Sequence, residues 1–448
     1  MRKIKNKKSS RSKALKVKLS FLAILLAVLL VSFFFNDKIE AKLDIGTHTN
    51  KNEVSSTDIY TSDFYVSYID VGQGSSAYIQ LPDGKNMLID GGNTEYGDDV
   101  ADFLNARGVK TIDYLIATHA DSDHIGGLNY VLKHFEFKHI YRPFQIAGKY
   151  KETGTSANDF VPSEYDELGS IYDELTSNGI KVYRASTSVY SEFIKNIYEE
   201  TYTENGVEIK SDITVFYDGL DEISGEDYSF NFFAPLIELG YDSADKDLSV
   251  LLGEGSRTKG KVTKCYRVSD SNSSSAIFLF TCRESKFLFT GDAPYTEYGA
   301  SKTNKNYEEM QFVLSLTDEE KALLSNIDVY TVGHHGSSYS SSSELLNIIN
   351  PRYVVVSCGA GNSYGHPASD ALQRIASTSN LETDYLLRTD KNGDISFAII
   401  EGKLRYYVSK NDNSNLTLSW YILGTVIYVM VAIITLSLKP AKRYNKKH

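Results

Sequence analysis

Thr118-His119-Ala120-Asp121-Ser122-Asp123-His124-Ile125-Gly126-Gly127 follows directly on the apolar, strand-like run Tyr114-Leu115-Ile116-Ala117. Four side chains able to ligate a metal, His119, Asp121, Asp123 and His124, fall within six residues. Imidazole nitrogen and carboxylate oxygen are donors that zinc and manganese accept, and a tight loop leaving a strand can aim several of them at one point. The glycine pair lets the backbone turn closely behind them. A solvated acidic loop needs neither the histidines nor the glycines, so the stretch reads as a metal site at the mouth of a sheet.

Before this loop, Phe64 to Asp70, Ala77 to Leu81 and Met87 to Asp90 read as strands, separated by the turns Gly72-Gln73-Gly74 and Pro82-Asp83-Gly84. Helices are expected at Asp98 to Ala106 and Leu128 to Phe135. Residues 144–262 are acidic and tyrosine-rich, with a helix-like segment at Ser163 to Ser177 and a strand-like one at Ile213 to Tyr217, and read as an insertion. The strand pair Ala276 to Thr281 and Phe287 to Thr290 then leads to Asp292. Strands at Val329 to Val332, Tyr353 to Ser357, Tyr385 to Arg388, Ile395 to Ile400 and Leu404 to Val408 follow, with helices at Glu319 to Leu324, Ser342 to Ile349 and Ser369 to Ala376. Two sets of strands with interspersed helices imply two sheets packed face to face with helices outside.

Of nine histidines, two lie in the first motif and three, His334, His335 and His366, gather near the ends of later strand-like runs. Asp292 follows a strand in Phe289-Thr290-Gly291-Asp292, where a carboxylate could bridge two ions. Loops at strand ends of two sheets can converge on one pocket, so these residues make a dinuclear set. A metal pair there would lower the pKa of a bound water, polarise an ester oxygen and stabilise the charge that develops.

On these residues the chain resembles the metallo-β-lactamase superfamily, specifically its ComEC-type branch, the hydrolase-like domain of DNA-uptake competence proteins. The matching stretches are Ile69 to Gly74, Leu88 to Gly92, His119 to Gly127, Phe287 to Asp292, Val332 to Ser337, Tyr364 to Pro367 and Arg388 to Asp390. The resemblance implies an α+β fold, a four-layer αββα sandwich with its active site along one edge of the two sheets. It carries the metal-ligand role to His119, Asp121, Asp123, His124 and Asp292, with the last ligand His335 or His366 and the other beside the metals. Asp123 and His335 are the expected catalytic pair. Asp121 stands where the superfamily commonly has a second histidine, which hardens that half-site and makes manganese as credible as zinc, as one or two ions. The superfamily usually supplies one more histidine before the bridging Asp; residues 140–333 contain none, so either His139 substitutes or one site is incomplete.

Several residues have plainer readings. His134 and His139 are expected to be structural. Asp70 and Asp90 are expected to cap the turns after their strands, with orientation of a ligand histidine as the alternative. Gly72, Gly74, Gly91 and Gly92 would serve close packing beneath the site, and Ser337 and Ser338 would cap the next helix.

The chain ends carry a different signal. Residues 19–35 and 416–438 are apolar runs near the roughly 20 residues that span hydrocarbon as a helix. The first follows nine Lys or Arg in residues 1–18, and the second precedes five in residues 439–448. Basic flanks stay cytoplasmic, which puts both termini inside and the domain at 61–410 on the outer face of the cell membrane, joined by a tether at 36–60. A cleaved signal peptide is the alternative for the first run, but Asn36 to Ala41 lacks a good small-x-small cleavage pattern.

The tails hold 14 of the 47 basic residues and no acid, so the remainder carries 33 basic residues against 58 acidic, a net charge of −25. Such a field repels a polyanion at long range and argues against casual nucleic-acid binding. The three cysteines, Cys265, Cys282 and Cys358, form no metal-ligand pattern, and at most two can pair.

The expected function is a membrane-anchored, extracytoplasmic metal-dependent hydrolase, a phosphoesterase or nuclease using a metal-bound hydroxide. Its partners would be the bilayer, through two spans, and a phosphoester substrate that could be DNA. The alternatives are a binding or sensory module with a degenerate metal site, and a lactonase-like carbonyl-ester hydrolase.

Overall fold

The computed structural model describes residues 53–143, 149–152, 183–185, 188–216, 219–220, 223–234, 256–258, 261–264, 272, 275–296, 307–382 and 385–410. The apolar runs at 19–35 and 416–438, both basic tails, most of the tether, Cys265 and the helix-like segment at 163–177 lie outside the described residues. Among the described residues, no helix is long and apolar enough to cross a membrane.

The strands of the two large sheets are, in chain order, β1 (Tyr65–Tyr68), β2 (Ala77–Gln80), β3 (Asn86–Ile89), β4 (Thr111–Ile116), β5 (Glu136–Arg142), β6 (Asp212–Val215), β7 (Tyr228–Ala234), β8 (Ile277–Cys282), β9 (Ser285–Phe289), β10 (Val329–Thr331), β11 (Tyr353–Val356), β12 (Leu386–Arg388), β13 (Ile395–Ile400) and β14 (Lys403–Val408). The first sheet runs β6-β5-β4-β3-β2-β1-β13-β14 and the second β7-β8-β9-β10-β11-β12. The two share a plan. In the first, β2 turns back antiparallel to β3, which then runs parallel with β4, as β4 does with β5. In the second, β8 turns back against β9, and β9, β10, β11 and β12 run parallel in turn. Parallel neighbours bring their carboxyl ends to one edge, where open α/β sheets bind ligands.

The layering follows from two-residue alternation along the strands. On β8 and β9, Phe278, Phe280, Phe287 and Phe289 face the first sheet and pack with Val66, Tyr68, Ile79, Met87, Ile116 and Phe397. Their alternates Leu279 and Leu288 face outward, beneath Phe312, Leu345, Leu346 and Ile349 of the helices Glu308–Ser315 and Ser343–Ile349. On the far side, Leu88 and Leu115 meet Val100, Leu104, Tyr190 and Phe193 from the helices Gly97–Asn105 and Ser188–Glu199. The result is helix, sheet, sheet, helix, as expected. Between the sheets, Phe278 stacks on Phe289 at 4.9 Å with 11° between planes, and truncating either ring to alanine would cost about 3–5 kcal/mol.

Three boundaries differ from the sequence reading. The helix expected at 128–135 is a single α-turn, Leu128–Val131, after which Leu132 to Phe135 descend through successive turns into β5. The stretch 144–262 is not wholly an insertion: β6 adds parallel to β5, β7 adds antiparallel to β8, and the helix Ser188–Glu199 covers the first sheet. The tether ends early, because Ser56–Tyr60 is a helix whose N-cap Ser55 and Asp58 form a capping box and whose Ile59 is fully buried. Cys282 and Cys358 are free and buried.

Candidate metal centre

Five loops leave the shared carboxyl edge and meet. They follow β3 (Asp90), β4 (Thr118 to His124), β9 (Asp292), β10 (Gly333 to Gly336) and β11 (Ser357). Close backbone approach makes the first of these meetings: a Cβ on Gly127 would lie 2.0 Å from the Gly91 carbonyl oxygen, and one on Gly74 would lie 2.6 Å from that of Asp123. Only glycine fits at these contacts, as the sequence suggested for Gly74 and Gly91.

Asp292 is the centre. Its Oδ1 lies 3.2 Å from His124 Nε2, and its Oδ2 lies 3.8 Å from His119 Nε2, 3.6 Å from His335 Nε2 and 3.7 Å from His334 Nε2. His335 Nε2 also lies 3.2 Å from Asp123 Oδ2. Two compact groups able to hold a cation result, His119 with His124 and Asp292, and Asp123 with His124 and His335.

Each of the three innermost histidines is fixed through its other nitrogen. His119 Nδ1 is 3.1 Å from Thr118 Oγ1, His124 Nδ1 is 2.7 Å from Asp90 Oδ2, and His335 Nδ1 is 2.8 Å from the Ser357 carbonyl oxygen. Carbonyl and carboxylate oxygens only accept, so Nδ1 of His124 and His335 donates. Thr118 Oγ1 donates to Asp90 Oδ2 at 2.7 Å and is left to accept from His119 Nδ1. With the rings neutral, as a cation requires, this arrangement turns three lone pairs inward, which is how metal-ligating histidines are oriented. None of the three Nε2 atoms makes a hydrogen bond, although all three are buried. Donors sharing one tetrahedral ion at 2.0–2.1 Å sit about 3.4 Å apart, so the observed spacings fit a divalent cation.

Charge follows the geometry. Burial, then the neighbouring His124, pushes His119 down to about 3. Burial would also depress His124, but Asp292 and Asp90 overcome it and hold His124 well above the usual imidazole range. His335 is raised in the same way, by Asp292 and Asp123 against its burial. Asp292 stays well below the carboxylate range despite burial, because His124, His335 and His334 surround it. Asp123, buried as well, is lowered by the facing His335 ring and by the charge of His124.

The structure thus gathers His119, Asp123, His124, Asp292 and His335. Asp121 reaches only to 4.0 Å from His119 Nε2 and is 36% exposed. His366 is outside the inner cluster: its ring packs edge-on to His334 at 5.5 Å and stacks on Tyr364 at 5.7 Å. Burial, then His334 and His335, depresses His366 to about 4. His139 does not supply the missing histidine. It lies 3.2 Å from Asp212 Oδ2 and stacks on Tyr114, while His134 bonds to the Tyr130 carbonyl.

Three other readings change. Asp90 is chiefly the orienting partner of His124, also accepting the Thr118 N–H at 2.7 Å, whereas Asp70 caps its turn as expected, accepting the Gly72 N–H at 3.4 Å, and also pairs with Lys410 at 2.6 Å. The helix Ser343–Ile349 is capped by Ser342, while Ser337 accepts the Tyr339 N–H and Ser338 donates to Asp370. His334 joins the site, with φ 50° and ψ 47°, beside His335 at φ 53°. Two adjacent non-glycine residues in the left-handed region are a costly conformation of the sort found at functional sites. The doubled histidine in Val332 to Ser337 is the signal that points to it.

Residues 69–164 match the metallo-β-lactamase superfamily. ComE operon protein 3 of Bacillus subtilis (strain 168) is 25% identical over 354 residues, 75% of this chain and 33% of that protein. Competence protein ComA of Neisseria gonorrhoeae is 25% identical over 341 residues, 76% of this chain and 33% of that one. This chain therefore spans about a third of the length of the curated relatives it matches. Among solved structures, the Zn(2+)-bound PqqB of Methylobacterium extorquens is similar at 10% identity and a TM-score of 0.34, over 72% of this chain and 97% of that one. The matched segment and the two-sheet fold agree with the metallo-β-lactamase superfamily. Within it, the likeness is to the ComEC-type branch, to which both competence proteins point.

Proposed function

We propose that this chain is a metal-dependent phosphodiester hydrolase that holds its ions at His119, Asp123, His124, Asp292 and His335, with Asp121 and His334 at the margin. The observation that carries the reading is the convergence of three buried imidazoles, each locked through Nδ1, on one carboxylate. A relic site has no reason to keep three buried nitrogens free of hydrogen bonds. A divalent zinc or manganese ion bound there makes water a nucleophile near neutral pH and draws electron density from an ester oxygen.

The protein's own groups do the rest. Asp90, Thr118 and the Ser357 carbonyl fix the rings, so no reorganisation is needed when charge develops. Asp292 presents Oδ1 to His124 and Oδ2 to His119, His334 and His335. At the more open rim, His334 Nε2 faces Asp292 and is partly exposed, placed to pass a proton to a departing alkoxide oxygen. The ComEC-type resemblance favours a phosphodiester, and with it DNA, over a carbonyl ester.

The same reading makes this an extracytoplasmic domain anchored by spans at 19–35 and 416–438, with both termini cytoplasmic. Its support is the two basic-flanked apolar runs. Proteinase added to intact cells should then digest the domain and spare epitope tags at both termini.

The chemistry is tested by loading the purified full chain with zinc or manganese, counting ions by elemental analysis, and assaying bis(p-nitrophenyl) phosphate and single-stranded DNA. Bound metal with turnover of a phosphodiester is expected. No bound metal, or turnover of a lactone alone, would sink the reading.

A further inference from the structure

The loop between β11 and the helix Ser369–Ala376 carries an aromatic residue that the fold does not use. Tyr364 is 71% exposed, the most exposed large apolar side chain among the described residues. Water around a tyrosine ring is unfavourable, and packing the ring inward would ordinarily relieve it.

The loop is built to hold the ring out. Asn362 spends its full hydrogen-bonding capacity on it: Nδ2 donates to the Gly359 and His366 carbonyls at 2.9 and 2.6 Å, and Oδ1 accepts the N–H groups of Tyr364 and His366 at 3.2 and 3.0 Å. The base of the loop is tied down as well, by the Gly359 N–H to Gln73 Oε1 at 3.1 Å. One face of Tyr364 lies on His366, with 25° between the rings.

This ring also belongs to the rim of the metal centre. Tyr364 stacks on His366, His366 packs against His334, and His334 Nε2 is 3.7 Å from Asp292. A phosphodiester held by a cation at this centre would have a fixed, exposed aromatic face two rings away, along His334 and His366. The charge of the chain sets a condition on this: outside the two tails the net is −25, so a polyanion has to be held by short-range contacts against the long-range field. Stacking is such a contact, and every unpaired base offers a face for it.

We propose that Tyr364 is a base-stacking platform, taking an unpaired nucleobase of a single-stranded nucleic acid next to the phosphodiester at the metal centre. The inference rests on the phosphodiesterase reading and gives that site a substrate preference.

Two measurements on the full chain test it. In the first, a single strand carrying iododeoxyuridine is irradiated with the protein in chelator, and crosslinked peptides are mapped by mass spectrometry. The peptide holding Tyr364 should carry the nucleotide; its absence from the crosslinked set overturns the proposal whether or not the enzyme turns over. In the second, the metal-loaded protein is given a base-bearing strand and the same strand with abasic sites beside the cleaved bond. Tyr364→Ala should raise KM for the base-bearing strand about five- to 150-fold, shrinking its advantage over the abasic one, and Tyr364→Phe should restore it. An equal effect on both strands would reduce Tyr364 to a structural prop for His366 and overturn the idea. Bis(p-nitrophenyl) phosphate assayed alongside separates the readings: its failure removes the phosphodiesterase, whereas turnover without the crosslink removes only the platform.

Discussion

The metal centre has two halves built by different means. On the first sheet, His119 and His124 come from one short loop and are aimed by side chains, Asp90 and Thr118. On the second, His334 and His335 are aimed by backbone, through two left-handed residues and the Ser357 carbonyl. Behind each half stands a buried carboxylate. Asp90 touches a metal-facing histidine directly, whereas Glu309 acts at a distance, accepting the N–H groups of Ser341 and Ser342 at 2.7 Å each. Side-chain aim can be deleted by one substitution; backbone aim can only be strained or relaxed.

Asp292 belongs to both halves, so Asp292→Asn should abolish the difference between them. Turnover should drop on the order of a thousandfold, roughly 4 kcal/mol, and elemental analysis should find both groups emptied. A variant that keeps one ion at full occupancy would show that the halves bind independently.

The next effect separates the carboxylates by pH. Burial pushes Glu309 up to about 7, against the hydrogen bonds from Ser341 and Ser342. A carboxyl raised in the folded state contributes its stability fully below its unfolded pKa, near 4.5, and loses it as pH rises through the folded value. Urea unfolding should therefore show the wild type losing about 3 kcal/mol relative to Glu309→Gln between those limits. Parallel curves for the two proteins would refute this role for Glu309.

Asp90→Asn should weaken metal binding ten- to a hundredfold, about 1.4–2.7 kcal/mol, because an amide has one accepting oxygen where Asp90 uses two, so His124 or the Thr118 N–H loses its acceptor while the second half keeps its own. Titration with a competing chelator measures this. An affinity within twofold of wild type would mean that Thr118 alone aims the first half.

The smallest change is on the backbone. His334→Gly relieves a left-handed residue and should raise the unfolding free energy by up to about 1 kcal/mol while lowering turnover. A destabilised His334→Gly protein would show that the side chain, rather than the turn, keeps this loop in place.

Legibility in the sequence divides along the same line. The first half was readable because its donors are contiguous and follow an apolar strand, and Asp292 and His335 because each closely follows a strand of its own. The role of Asp90 was underweighted since a residue ending β3 reaches one following β4 only through parallel pairing, which spacing does not display. His334 falls in the histidine group that the sequence displays but has no ligand role there, since only the left-handed backbone brings both adjacent rings to Asp292. The strand-like run at Ile213 to Tyr217 is β6, but a half-exposed edge with weak alternation does not display its place beside β5, and β7 lies unread in the same acidic stretch. The layering, by contrast, was written plainly in the Phe-rich pair β8 and β9.

Thr118 has one more contact: its carbonyl accepts the Ala276 N–H at 2.9 Å, a main-chain bond running from the first sheet's loop to the start of β8 in the second. Side-chain packing between sheets tolerates small slides, whereas a peptide hydrogen bond does not. That bond indexes one sheet against the other within a residue of His119, so the gap between the two sets of donors is gauged by the main chain itself.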